Sequence, residues 1–109
     1  MDKISIEDLK KIELRVAKII DVQDHPNADK LYVIKISLGN EEKTIVSGIK
    51  PWYKKEELIG KKIIVVNNLQ PKVFRGVESN GMLLAAEDEN NNLSLITVDK
   101  DIKEGSRVY

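Results

Sequence analysis

Apolar residues in this chain recur at every second position in short runs, and each run is bounded by residues that turn the backbone. Tyr32, Ile34, Ile36 and Leu38 alternate with Val33, Lys35 and Ser37, the period of a half-buried strand whose alternate side chains share one face. Leu14, Val16, Ile20 and Val22 mark the same period, but Lys18 breaks it and Ile19 falls on the wrong side. A bulge or bend within residues 17–19 reconciles that run with a strand. Thr44 to Ile49, Ile63 to Val66, Met82 to Ala86 and Leu93 to Val98 supply four further β-rich segments. Between them lie the turn-rich His25-Pro26-Asn27-Ala28-Asp29, the polar Gly39 to Glu42, and the loop Glu87 to Asn92. About six short strands, with turn signals every 8 to 12 residues or so, predict a barrel or a sandwich.

Two helical signals interrupt the strands. Ser5 followed by Asp8 has the form of an N-cap with an acidic partner at the third helical position, which predicts a brief helix over Ile6 to Lys11. Such a helix is too short to stand alone. Pro51 sits where a second helix could begin, over Trp52 to Ile59, with Gly60 closing it. A helix inserted between the third and fourth strands of a small barrel is the arrangement of the OB-fold. The expected fold class is therefore all-β: an OB-fold barrel with a short N-terminal helix, a small helix between the third and fourth strands, and a β-rich C-terminal extension over Ile102 to Tyr109.

At 109 residues the chain has the size of a single domain, expected to span residues 1–109. Its 41% hydrophobic and 33% charged residues exclude a disordered chain. The longest apolar runs fall far short of the ~20 residues needed to cross a bilayer, so no membrane association is expected. Met1-Asp2-Lys3-Ile4-Ser5-Ile6 lacks the apolar run of a secretory signal, which makes the cytoplasm the default location. There is no cysteine, so disulfides and thiolate metal sites are out of reach.

Zero net charge conceals a strong asymmetry. Residues 43–77 carry eight basic side chains (Lys43, Lys50, Lys54, Lys55, Lys61, Lys62, Lys72, Arg75) against Glu56 and Glu57, a local charge of +6. Residues 1–42 hold seven basic and nine acidic side chains, and residues 78–109 hold three and seven. If the segments stay apart in space, the molecule is electrostatically two-sided and its positive side suits a polyanion.

Catalytic chemistry finds little support. The only histidine, His25, precedes a proline in a turn and reads as a residue packing on the barrel rim rather than as a general base. Gly76 and Gly81 form neither a dinucleotide fingerprint nor a phosphate-binding loop, and no cofactor is expected. Asp88-Glu89-Asn90-Asn91-Asn92 imitates the opening of a calcium loop, but Leu93 stands where glycine is required and Asp99 where glutamate is. Those residues suit a solvated hairpin loop, and no metal is expected.

The positive segment also carries aromatics: Trp52, Tyr53 and Phe74 lie beside Lys50, Lys54, Lys55, Lys72 and Arg75. Lysines bind phosphates as point charges, an arginine forks onto a phosphate or stacks on a base, and an exposed ring takes a base face. Trp52 and Tyr53, however, more often pack a helix against a barrel. Asn67 and Asn68 could reach base edges or ribose, or simply close a turn.

Four ordered motifs carry a family resemblance. Glu13-Leu-Arg-Val-Ala-Lys-Ile-Ile20, His25-Pro-Asn-Ala-Asp-Lys-Leu31, Thr44-Ile-Val-Ser-Gly-Ile49 and Arg75-Gly-Val-Glu-Ser-Asn-Gly-Met-Leu-Leu-Ala-Ala86 resemble the structure-specific tRNA-binding domain at the C-terminus of methionyl-tRNA synthetases. Endothelial monocyte-activating polypeptide II and free-standing tRNA-binding proteins are relatives, and the resemblance runs from about Ile6 to Tyr109. It implies an OB-fold that grips tRNA by shape and catalyses nothing itself. The family's Ser-x-Gly-Met element maps onto Ser79, Gly81 and Met82, and its basic loop onto Lys72 and Arg75. On this reading Ser79 donates to phosphate or ribose, Gly81 admits close backbone approach, and Met82 contacts a base or packs in the core.

The resemblance further implies a homodimer joined through the N-terminal helix and C-terminal strands, on the expectation that no synthetase is fused to the chain, and a role as a tRNA-binding β-subunit serving a methionyl-tRNA synthetase. The candidate tRNA-binding set is Lys50, Lys54, Lys55, Asn67, Asn68, Lys72, Phe74, Arg75, Ser79, Gly81 and Met82. The rival expectation is a dimeric secretion chaperone of the same fold, which would bind unfolded polypeptide through an apolar groove.

Overall fold

The computed structural model describes all 109 residues. Helix α1 (Ile6–Leu9) is one turn, two residues shorter than the capping pattern predicts. Ser5 caps it, accepting the Asp8 N–H at 3.1 Å. The Asp8 carboxylate is held by Lys11 Nζ at 3.1 Å instead of turning back to the cap, and no residue of the turn is buried.

Strand β1 (Leu14–Asp24) is the spine of the fold. It pairs antiparallel with β2 (Tyr32–Ser37), with β4 (Lys62–Val66) and, at Leu14 and Arg15, with β10 (Arg107–Val108). The expected irregularity exists, but one step later: the register with β2 shifts between Ile19 and Asp21, which makes Ile20 the extra residue. The shift explains why Ile19 breaks the even pattern. Ala17, Ile19 and Val22 join the core, whereas Val16 is buried where its backbone bonds Gly105 and Ser106. An unbroken alternation would have sent Ile19 and Val22 to opposite faces.

Strands β2 and β3 (Glu42–Ser47) form a hairpin closed by Leu38 N–H donating to Glu41 O at 2.9 Å. Helix α2 (Lys55–Leu58) is again a single turn, shorter than Trp52 to Ile59, and it drives Leu58 fully into the core. The main sheet runs β3-β2-β1-β4-β7, with β7 at Met82–Leu83. It closes where β3 meets the chain around Ser79 and Asn80, through Asn80 N–H to Thr44 O at 2.8 Å. The result is a nearly closed five-strand antiparallel barrel of OB type with two short helices.

Two stretches depart from the sequence reading. Residues 72–79, expected as a loop, form a hairpin of β5 (Lys72–Phe74) and β6 (Val77–Ser79). The apolar run Met82 to Ala86 divides at Leu84, whose backbone bonds both Ile64 and Ile96. After it the chain makes a second hairpin from β8 (Ala85–Glu87) and β9 (Leu93–Leu95), shorter than Leu93 to Val98. Ile19, Ile34, Ile45, Leu58 and Ile63 are wholly buried, and each such side chain contributes about 1.5–3 kcal/mol by leaving water. Only two buried residues are polar, His25 and Ser79.

Candidate nucleic-acid interface

Both of those polar residues belong to the support of one hairpin. Phe74 pairs with Val77 across β5 and β6, and the two residues between them, Arg75 and Gly76, have φ of +49° and +92°. Consecutive left-handed residues make the tight hairpin turn that matches strand twist, where Asn-Gly is the usual pair. Here an arginine occupies the asparagine position, so its exposed side chain is offered at the tip of a strained turn.

Lys72 stands on the same hairpin, with Nζ 5.2 Å from the centre of the Phe74 ring. Phe74 is half-buried, so it is less available for stacking than an exposed ring, and Lys72 covers one of its faces. Neither Lys72 nor Arg75 has a carboxylate partner. An open cleft of about 410 Å³ runs between this tip and the turn after β1, with Lys30 and Arg75 among its lining residues. Lys30 was missed by the sequence reading because its own segment is net acidic.

The +6 segment does not gather on one flank. Lys43 bonds Asn67 Oδ1 at 2.8 Å and lies 3.7 Å from Glu41, while Lys62 is paired with Asp101 at 2.6 Å. Lys50 and Lys55 share Asp24 at 3.0 and 2.9 Å. Hydrogen bonds from Lys55, then Lys50, hold the Asp24 carboxyl below its ordinary range, and the same contact raises the Lys55 ammonium. Four of the eight cations are thus partly neutralised, leaving Lys54, Lys61, Lys72 and Arg75 without such partners. Their shared partner Asp24 directly precedes His25, which bonds the hairpin at Phe74 O.

Asn67 and Asn68 lie elsewhere. Asn68 accepts the Glu13 N–H at 2.8 Å and donates to Lys11 O at 2.7 Å, tying down the chain after α1. Trp52 donates to Asn91 O at 2.9 Å, and the Tyr53 hydroxyl accepts the Leu95 N–H at 3.1 Å, so these rings brace the barrel. The Asp88 carboxylate accepts N–H groups of Asn90 and Asn92, both at 3.0 Å, and organises the solvated hairpin loop that its residues predict.

Within the Ser-x-Gly-Met element, each residue takes a different orientation. Ser79 is buried, and its hydroxyl accepts the Val46 N–H at 2.9 Å while donating to Gly81 O at 3.0 Å. That hydroxyl is committed internally, contrary to the expectation that it faces RNA. Gly81, at φ +130°, passes so close to Val66 O that an added Cβ would lie 3.0 Å away; its missing side chain serves barrel closure. Met82 is exposed rather than core. It lies opposite Val66, which lies opposite Leu14, which lies opposite Val108, so one outward apolar row crosses four strands. That row borders an apolar groove of about 550 Å³ lined by Ile6, Leu9, Ile12, Leu14, Val108 and Tyr109.

A family model described as "Putative tRNA binding domain" matches residues 14–107. The chain belongs to that tRNA-binding domain family. It is 59% identical over 105 residues to the methionine–tRNA ligase of Nanoarchaeum equitans and 55% identical over 108 residues to that of Pyrococcus horikoshii. These matches cover 96% and 99% of this chain but only 13% and 15% of the ligases. Among solved structures, a methionyl-tRNA-synthetase-related protein from Pyrococcus horikoshii superposes with a TM-score of 0.93 at 39% identity, covering both chains fully. A CsaA chaperone protein from Picrophilus torridus superposes with a TM-score of 0.89 at 34% identity, covering 98% of this chain and all of that one.

Within this tRNA-binding domain, Ser79 is expected to matter for stability. Ser79→Ala leaves the Val46 N–H and the Gly81 carbonyl without their partner, which should cost about 1–3 kcal/mol in urea unfolding. Unchanged stability combined with lost RNA affinity would instead make the hydroxyl a direct contact.

Proposed function

We propose that this chain is a non-catalytic module that binds folded tRNA along the rim formed by the β5–β6 hairpin and the turn after β1. The observation that carries this reading is the pair of unneutralised cations on the hairpin, Lys72 and Arg75, of which Arg75 lines an open cleft together with Lys30 and Asp29. Lysine and arginine there neutralise phosphates, and the short turn limits how many conformations the arginine loses on binding. Lys54 adds an exposed charge, while Lys50 and Lys55 contribute through a site that Asp24 half discharges. Phe74 backs Lys72, Met82 offers an exposed thioether three residues beyond the end of β6, and Ser79 and Gly81 fix the backbone between them. Asn67 and Asn68 act at a distance by bracing the N-terminal segment.

The fragment-sized match to methionine–tRNA ligases supports a role in holding tRNA for such an enzyme, either joined to it or acting in trans as a β-subunit. That work belongs in the cytoplasm. No helix is long and apolar enough to cross a membrane.

A filter-binding salt titration tests the electrostatic reading. Each neutralised phosphate contributes roughly 0.7–0.9 to the log–log slope, so ~5 contacts give a slope near −4. Lys72→Ala and Arg75→Ala should each weaken tRNA binding and reduce the slope by about 1, with unchanged thermal unfolding. A flat salt response, or two variants that bind like the parent, would remove the hairpin from the site.

The exposed apolar groove between α1 and β10 fits a second copy of the chain. Ile6 and Leu9 of a helix that buries nothing within the fold supply its surface, and twofold pairing is the commonest way to cover such a patch. Dimerisation would place two tRNA sites on one particle. Sedimentation should show a dimer that Leu9→Glu converts to monomer; a monomeric parent at micromolar concentration contradicts this part of the reading.

The same groove, together with the likeness to a CsaA chaperone protein, favours one second reading, in which the chain holds unfolded polypeptide. Competition separates the two: an unfolded peptide should leave tRNA binding intact if the cationic rim is the site.

A further inference from the structure

The turn after β1 reaches the hairpin through two side chains, and both grip the peptides on either side of the strained residue. His25 Nδ1 accepts the Asn27 N–H at 3.0 Å, which leaves the ring proton on Nε2, where it donates to Phe74 O at 2.7 Å. Asn27 Nδ2 donates to Arg75 O at 3.1 Å. The imidazole is 5% exposed, so its hydrogen bonds are shielded from water. Pro26 between the two residues has a fixed φ, which limits how far they can drift apart.

Arg75 needs such help. Its φ of +49° is a conformation that asparagine or glycine adopts readily and arginine does not. A turn of this sequence, left to itself, has reason to relax into other loop conformations and to scatter the guanidinium. The carbonyls of Phe74 and Arg75 flank the residue that pays this strain, and each accepts one bond from the same turn.

We propose that His25 and Asn27 are positioning residues that lock Arg75 in its left-handed conformation and so present its guanidinium to tRNA phosphate. The inference rests on the reading of the hairpin as the tRNA site. It assigns a role to a buried histidine that no catalytic chemistry uses, and to an asparagine 48 residues distant in sequence from its partner. The clamp also explains how an arginine can occupy a turn position suited to asparagine: local preference is overruled by two non-local hydrogen bonds.

A double-mutant cycle on the full chain, read by tRNA filter binding at fixed salt, tests it. Asn27→Ala should weaken binding by roughly 3- to 10-fold, the worth of one positioned hydrogen bond. In an Arg75→Ala background the same substitution should cost nothing further, because the group it positions is gone. His25→Gln, whose amide can still donate toward Phe74 O, should bind closer to the parent than His25→Ala does. Asn27 is exposed, so its variant reports on binding even if His25→Ala fails to fold. Arg75→Asn should raise the unfolding temperature while lowering affinity, since it relieves the turn and removes the charge. Additive losses at Asn27 and Arg75 would overturn the clamp. So would an Asn27→Ala protein that binds like the parent beside a weakened Arg75→Ala. If Arg75→Ala itself binds like the parent, the tRNA reading of the hairpin falls and takes the clamp with it.

Discussion

Ser79 carries two hydrogen bonds at the place where the sheet would otherwise stay open. Its hydroxyl joins the Val46 N–H of β3 to the Gly81 carbonyl at the start of β7, and the adjacent Asn80 N–H completes the seam on Thr44. Barrel closure brings the β5–β6 hairpin onto the rim, because β6 ends at Ser79 itself. A serine is suited to this junction because one small hydroxyl both accepts and donates. With Gly81 letting the chain pass against Val66 O, closure is dense enough to exclude a side chain, and no buried side-chain nitrogen or oxygen is left unpaired.

Charge is then sorted by that frame. Glu41 of the same hairpin lies beside Lys43, the distant Asp101 holds Lys62, and Asp24 divides itself between Lys50 and Lys55. What remains uncompensated near the rim is small in number and fixed in place: Lys72 lies over an aromatic ring, and Arg75 rides on a two-residue turn. Positioned cations recognise a folded phosphate backbone better than a larger number of mobile ones, since less side-chain entropy is lost on binding. The apolar groove at α1 and β10 shares no lining residue with the cleft at the polar rim.

Much of the fold was legible because period and punctuation are local properties. Tyr32, Ile34 and Ile36 alternate as written and are buried as expected, and the disturbance around Lys18 and Ile19 announced a bulge. The hairpin at residues 72–79 was not legible, since Arg-Gly is a poor version of its turn signal and the bonds from His25 and Asn27 that reach it come from a turn about 48 residues away. Charge counting singled out Lys72 and Arg75 but overstated the segment, because the carboxylate partners of Lys50, Lys55 and Lys62 and the Asn67 contact of Lys43 are set by tertiary pairing. Ser79 and Gly81 were singled out by a motif, and a motif marks where the backbone is constrained without saying which way the hydroxyl points: here it bonds Val46 and Gly81. Asn67 and Asn68 show the same limit, their amides being spent on Lys43, Glu13 and Lys11.

The central claim is that folded RNA meets this domain at the hairpin rim. Amide chemical-shift mapping during titration with unmodified tRNA tests it most directly. The account predicts that the largest changes fall on residues 27–30 and 72–78, with the interior of β2 silent. Perturbations confined to the groove between α1 and β10, with the hairpin unaffected, would contradict it.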